Sequence, residues 1–185
     1  GAGVPIAAGV ALANSIRDSD GVAVCSFGDG AMSQGGLHEG LVFAAAKNLP
    51  VVFVCENNGW AEMTPTSAVS RTPRLASRAE GYGIPARTVD GCDVEEVEEA
   101  ARWALAEARA GRGPVFLEFD VVRLKGHYNK DIEHYRSRED VESATERDPL
   151  AVLRQKITQV ASGAVADLQT IDAEVASEIE SAVES

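Results

Sequence analysis

The stretch Val22-Ala23-Val24-Cys25-Ser26-Phe27-Gly28-Asp29-Gly30 decides how the rest of the chain is read. An apolar β-type run ends abruptly in Gly-Asp-Gly, and a helical pattern follows. That order sets one acidic side chain, Asp29, at the carboxyl end of a strand and beside the start of a helix. Phosphate-bearing ligands sit at such places in open α/β sheets, because free backbone N–H groups and the helix dipole attract anions. Taken alone, Gly-Asp-Gly is more often a plain turn.

Working outward, Gly36 to Asn48 carries Leu37, Leu41, Ala44 and Ala45 at helical spacing, and Pro50 stops the pattern. Val51-Val52-Phe53-Val54-Cys55 is then a second, wholly apolar strand, and it too ends in polar residues, Glu56-Asn57-Asn58-Gly59-Trp60. Wholly apolar strands separated by a helix predict a parallel sheet covered on both faces. Upstream, residues 1–15 are small and apolar and contain Pro5, which predicts a buried helix. Downstream, a Thr-, Ser- and Pro-rich loop reaches about Pro73, a short helix is expected near Leu75–Tyr82, and Ile84–Val89 reads as a third strand. Val94 to Ala110 has Val94, Val97, Ala101, Ala104, Leu105 and Ala108 on one face, with Asp93 placed to cap it and Gly111 and Gly113 to end it. A fourth strand, Val115–Val122, follows.

From Arg123 to about Arg147 the chain is polar and aperiodic, the signature of a long loop, usually functional or disordered. Asp148-Pro149 opens a helix to about Ala161, and Ile171 to Val183 gives another. The expectation is an α/β fold, an open and mostly parallel sheet with helices on both faces, occupying residues 1–147, with a helical C-terminal extension over 148–185. Right-handed crossovers place all carboxyl strand ends on one edge, so the turns at Asp29 and Asn58 face the same side.

A net charge of −12 argues against nucleic acid as a partner, since phosphate backbones require clustered Lys and Arg. No run approaches the roughly 18 apolar residues of a membrane helix, and no signal-peptide pattern opens the chain. Cys25, Cys55 and Cys92 show no CxxC spacing and read as reduced thiols, two of them core-filling, in a cytosolic or matrix compartment. The chain starts at Gly1, already inside an apparent element, and reads as a fragment, a processed product or half of a split protein.

The Asp29 carboxylate and the Asn58 amide oxygen are hard oxygen donors converging on one sheet edge. They suit Mg²⁺, which commonly completes its octahedron with phosphate oxygens and water. Gly28 and Gly30 let the backbone approach a phosphate, and the amides of Gly30 and Ala31 can donate to it.

Gly28-Asp29-Gly30 followed by Asn57-Asn58 resembles the thiamine-diphosphate motif. The surrounding text, Gly-Asp-Gly-Ala-Met-Ser-Gln-Gly, Lys-Asn-Leu-Pro-Val-Val-Phe-Val-Cys-Glu-Asn-Asn-Gly-Trp-Ala, Val-Asp-Gly-Cys-Asp and Lys-Gly-His-Tyr, is similar to the alpha subunit of 2-oxo acid dehydrogenases, from Gly1 to about Glu142. The resemblance implies a thiamine-diphosphate-binding fold with thiamine diphosphate and Mg²⁺ as cofactors. It implies Asp29, Asn58 and the carbonyl of Trp60 as metal ligands, and Gly28, Gly30 and Ala31 at the diphosphate. His127 matches a loop histidine that reaches the diphosphate and orders the active site, Arg123 an arginine supporting that loop, and Tyr135-Arg136 a loop-anchoring pair; a surface role remains open for Arg123 and plain loop packing for the pair. His38 and His134 read as surface or packing residues.

The implied activity is oxidative decarboxylation of a 2-oxo acid, or cleavage of acetoin, with acyl transfer to a lipoyl-bearing partner. The implied partners are a beta subunit, in an α2β2 heterotetramer, the lipoyl-bearing acyltransferase and a small oxo substrate, with no nucleic acid and no membrane. Regulated mitochondrial relatives carry a phosphorylatable serine where Tyr128 stands, which favours a bacterial or archaeal, cytoplasmic protein. Tight cofactor binding is expected to need the family's N-terminal segment or a companion polypeptide. The alternatives are another transketolase-like thiamine-diphosphate enzyme or a truncated, non-catalytic assembly module.

Overall fold

In the computed structural model, which describes residues 1–185 apart from Ser162 and Ser185, the Val22–Gly30 stretch supplies strand β1 (Ala23–Gly28). Helix α1 (Gly3–Ile16) precedes it, and a 3₁₀ turn (Asp29–Ser33) and helix α2 (Gly35–Lys47) follow. Asn48 ends α2 by taking a left-handed backbone, φ 52°, and its side-chain amide donates to the Gly111 carbonyl at 2.7 Å. Asparagine enters that region at little cost, so the helix stops before Pro50 is reached. Strand β2 (Val51–Asn57) then leads into a small hairpin, β3 (Trp60–Ala61) and β4 (Thr64–Pro65), a single turn α3 (Thr66–Val69) and a short helix α4 (Ala76–Glu80). Strand β5 (Ala86–Asp90), helix α5 (Val94–Arg109) and strand β6 (Val115–Asp120) complete the sheet. The Asp93 side chain caps α5 by accepting from the Glu95 amide, as its position implies.

The main sheet has four strands in the order β1-β2-β6-β5, every pairing parallel. One face carries α1, α2 and α4 over Cys25, Phe53, Cys55 and Phe116. The other carries α5, whose Ala100, Ala104 and Ala108 pack on Val52, Val115, Leu117 and Phe119. Small side chains let the helices sit close: a Cβ added to Gly40 would stand 2.8 Å from Val4 Cγ1 and 3.0 Å from the Pro5 nitrogen, so α1 and α2 touch backbone to backbone.

Four expectations are corrected. Helix α1 is buried on one side only, through Val4, Ala7, Ala8 and Ala11, while Ile6 and Ile16 face outward. Coverage of both sheet faces fails at the edge strand, where Val24 is 59% exposed because α5 lies over the inner strands. The Arg123–Arg147 stretch is not all loop, for helix α6 (Arg138–Glu146) closes it, capped by Ser137 accepting from the Asp140 amide at 3.0 Å. The last helix begins well before Ile171, since α8 spans Ala164–Glu184.

Helix α7 (Pro149–Val160) starts at Asp148-Pro149 as its sequence implies, with Asp148 accepting from the Leu150 amide. Lys156 ties it to the N-terminus of α5 through Asp93 and Glu95, and Arg154 pairs with Asp172 of α8 at 2.8 Å. All three cysteines are free and buried, Cys92 along with the two expected in the core.

Candidate functional site at the carboxyl edge of the sheet

Because the main strands run parallel, β1, β2 and β6 deliver their ends to one edge. Gly28, at the end of β1, is exposed, and a Cβ there would meet nothing within 4 Å. Asp29 opens the 3₁₀ turn and is only 4% exposed. Its carboxylate accepts from the Thr66 hydroxyl and makes no ion pair with any Lys or Arg among the described residues. A carboxylate this buried is costly without an opposite charge, and none is paired with it among the described residues. Gly30 and Ala31 fall in the first turn of that 3₁₀ segment, where backbone N–H groups have no partner inside the turn. Gly30 also sits tight against the hairpin, for a Cβ on it would stand 2.8 Å from Ala61 Cβ.

The end of β2 is a pair of side-chain-closed turns. Asn57 Oδ1 accepts from the Gly59 amide at 3.1 Å, and Asn58 Oδ1 accepts from the Trp60 amide at 3.0 Å. Gly59 takes φ +77°, a conformation that strains residues with a side chain. The Trp60 carbonyl, implied as a third metal donor, accepts from Arg123 Nη2 at 2.8 Å. A cation thus already occupies one side of that oxygen, which leaves its second lone pair.

Arg123 also donates through Nη1 to the Glu62 carbonyl at 2.6 Å and to the Tyr135 hydroxyl at 3.2 Å. It is therefore no free surface arginine. The 123–137 loop is knotted around Asp131, whose carboxylate accepts from the Tyr135 hydroxyl at 2.6 Å and from the amides of His127 and Glu133 at 2.8 and 2.9 Å. The Tyr135 hydroxyl first, then those amides and the Arg123 charge, hold the Asp131 carboxyl below its ordinary value against the opposing effect of burial. The same bond pushes the Tyr135 hydroxyl up. The Tyr135 ring lies 5.3 Å from that of Trp60, and the Arg136 side chain is 1% exposed between Glu133 and Asp140. The Tyr135-Arg136 pair is thus an anchor for the loop.

His127 is the residue that the structure does not bring in. Its backbone amide is held by Asp131, but the exposed imidazole has no hydrogen bond or ring contact among the described residues. His38 is a packing residue, its ring held between the Tyr82 hydroxyl and the Met32 carbonyl. His134 lies edge-on against Tyr135.

A cleft of about 880 Å³ runs from Asn58 and Trp60 past Thr66 to Arg123, Arg136 and Arg147. Arg136 and Arg147 are neutralised by carboxylates, whereas Arg123 makes no ion pair among the described residues. Also among the described residues, no group of three or more His, Cys, Asp or Glu gathers to hold a metal. The available donors are one carboxylate and neutral oxygens, a set suited to an ion that takes its other ligands from a phosphate.

Sequence reasoning passed over Thr66, Asp131 and Glu118. Asp131 had a local signal, an acidic residue two positions before Glu133 able to close an Asx turn. Glu118 had one too, as a lone acid within the apolar run of β6, whereas Thr66 meets its partner far away in sequence and left none.

The fold and the site define an open, parallel α/β domain that gathers hard oxygen donors at the carboxyl edge of its sheet. The chain belongs to the dehydrogenase E1 component family, whose model matches residues 1–185. The alpha subunit of an acetoin:2,6-dichlorophenolindophenol oxidoreductase from Cupriavidus necator is 42% identical over 185 residues, covering 100% of this chain and 56% of that protein. The alpha subunit of a pyruvate dehydrogenase E1 component from Zymomonas mobilis is 40% identical, covering 100% of this chain and 52% of its own length. The 2-oxoisovalerate dehydrogenase subunit alpha of Bacillus subtilis is 43% identical over 148 residues, 80% of this chain and 45% of that one. The chain spans about half the length of the curated relatives it matches. A solved structure from Mycobacterium smegmatis, described as a thiamin diphosphate-dependent enzyme, aligns with a TM-score of 0.53 at 27% identity, over 65% of this chain and 22% of that one.

Proposed function

We propose that the chain is the diphosphate-anchoring part of the alpha subunit of a thiamine-diphosphate-dependent 2-oxo acid or acetoin dehydrogenase. The observation that carries this reading is the buried Asp29 carboxylate, paired with no Lys or Arg among the described residues, one strand away from Asn58 in a chain of this family. Asp29 and Asn58 hold Mg²⁺, joined by the Trp60 carbonyl through its second lone pair. The amides of Gly30 and Ala31, with Gly28 leaving the approach open, bind the diphosphate. Arg123 fixes the Trp60 turn to the 123–137 loop, whose exposed His127 is the side chain assigned to meet the diphosphate when the cofactor is bound. Thiamine diphosphate, when bound, supplies the electron sink for breaking the bond beside the substrate's oxo group.

The names of the relatives support the remainder. A beta subunit, an α2β2 assembly and a lipoyl-bearing acyltransferase are the partners proposed, with oxo acids or acetoin as substrate. A cytoplasmic place and a bacterial or archaeal source are part of the same proposal, supported by the free thiols. Among the described residues no helix is long and apolar enough to cross a membrane. Residues 1–147 form the cofactor-anchoring body and 148–185 a helical extension, α7 being fastened to the body by Lys156.

Trp60 makes the test direct. Thiamine diphosphate is expected to quench tryptophan fluorescence of the full chain only when Mg²⁺ is present, and the Asp29→Ala variant is expected to lose that response. An Asp29→Ala variant that binds as wild type does would overturn the assignment.

A further inference from the structure

Glu118 is 1% exposed and stands on β6, an inner strand, between Leu117 and Phe119. It forms no ion pair among the described residues. Instead, one carboxylate oxygen accepts from Asn57 Nδ2 at 2.8 Å and from the Leu75 amide at 3.1 Å. The other accepts from the Ala76 amide at 2.9 Å and from the Thr88 hydroxyl at 3.0 Å. A carboxylate is the side chain that offers two acceptor oxygens and no donor, which is what four converging donors require. For stability alone an apolar residue is the ordinary occupant of an inner strand, since burying a carboxylate is costly.

The partners lie at informative places. Asn57 immediately precedes, and Leu75 immediately follows, the segment 58–74. That segment carries Asn58, Trp60 and Thr66, which are the groups that face Asp29 or define its neighbouring turn. Asn57 is held in one amide orientation, its nitrogen toward Glu118 and its oxygen toward the Gly59 amide. Both ends of the segment are therefore fastened to a single side chain.

We propose that Glu118 is a positioning residue for the site. By clamping Asn57 and the head of α4, it holds the Asn58 oxygen and the Thr66 hydroxyl in place beside Asp29. This rests on the reading of Asp29 and Asn58 as the Mg²⁺-diphosphate anchor. Partners behind metal ligands commonly change metal affinity by about 10- to 100-fold when lost.

Glu118→Gln keeps size and shape but turns one acceptor into a donor facing donors. The full-length chain and this variant are compared in two ways. In amide NMR spectra without ligand, the Trp60 and Thr66 signals are expected to shift while those of Trp103, beneath Arg87 on the other side of the sheet, stay fixed. In Mn²⁺ titrations followed by electron paramagnetic resonance with thiamine diphosphate present, half-saturation is expected to rise about tenfold. Unmoved Trp60 and Thr66 signals, a shift of Trp103 as large as theirs, or an Mn²⁺ affinity within twofold of wild type would each overturn the role given to Glu118. A wild-type chain that takes up no Mn²⁺ even with millimolar thiamine diphosphate, where weak binding is still seen, would instead refute the Asp29–Asn58 anchor, and the ligand-free signals would still decide on Glu118.

Discussion

Substituting Gly30 by alanine tests how closely the two polar turns must approach. The added Cβ would lie 2.8 Å from Ala61 Cβ and 3.3 Å from Ala61 Cα. Carbon atoms rest about 3.5–4.0 Å apart, so the hairpin must retreat by roughly 0.7–1.2 Å. Overpacking of this kind costs about 1–3 kcal/mol. Ala61 belongs to a two-residue strand at the surface, which can give way, so the lower part of that range, about 1–1.5 kcal/mol, is expected. For a chain of this size that corresponds to a fall in Tm of roughly 2–6 °C. Urea unfolding of wild type, Gly30→Ala, Ala61→Gly and the double variant forms a cycle. Glycine at 61 loosens the chain on its own account, so the quantity to read is the cost of Gly30→Ala in each background. It should be about 1–1.5 kcal/mol beside alanine and no more than about 0.5 kcal/mol beside glycine, because the Cβ–Cβ overlap is then removed. The same cost in both backgrounds would refute the argument from close approach.

Two further outcomes follow from the ionisable groups. The Asp131 carboxyl is held below its ordinary value in the folded chain, so its contribution is fully present above the unfolded value and is lost as pH falls through the folded one. Hydrogen exchange at the His127 and Glu133 amides should stay slow relative to a free loop from neutral pH down to about 4 and lose that protection below it; Asp131→Asn should abolish the step, and a step that persists in the variant would assign it elsewhere. Burial pushes all three thiols up, and so Ellman's reagent near pH 8 should label the native chain at least about tenfold more slowly than the denatured one. Equal labelling rates would show that the core around Cys25, Cys55 and Cys92 opens freely.

The sheet was legible because β2 opens with the uninterrupted apolar run 51–55 and β6 is apolar apart from Glu118 until Asp120, and α5 because Asp93 and a one-sided apolar pattern mark it. Helix α6 escaped because Arg138–Glu146 has only Val141 and Ala144 to bury, too little for a periodicity to register. Its signal was local instead: Ser137-Arg138-Glu139-Asp140 is a capping sequence, and the Ser137 hydroxyl does receive the Asp140 amide. Asp29 and Asn58 could be found since each directly follows an apolar strand. Thr66 could not, because its partner lies 37 residues away, and the role of Glu118, an acid within an apolar run, stayed hidden because its partners lie 30 to 61 residues away and only the folded sheet brings them together. The exposure of Val24 was hidden for a related reason. A strand's composition says that it is apolar, but its place at an edge is a property of the whole topology.

The position of β6 between β2 and β5 also sets an order in time. Although it follows the other three main strands in the chain, it enters the middle of the sheet, and Glu118 enters with it. Asn57 therefore leaves the ribosome 61 residues ahead of the side chain that will fix it. At synthesis rates of about 5–20 residues per second, the turn after β2 waits on the order of 3–12 seconds without that partner. In the later part of this interval, once β5 has emerged, β2 and β5 have no strand between them, and their neighbouring edges are open to wrong pairing. The polar edge that defines the site is thus completed late, when insertion of one strand closes the sheet and locks the turn in the same event.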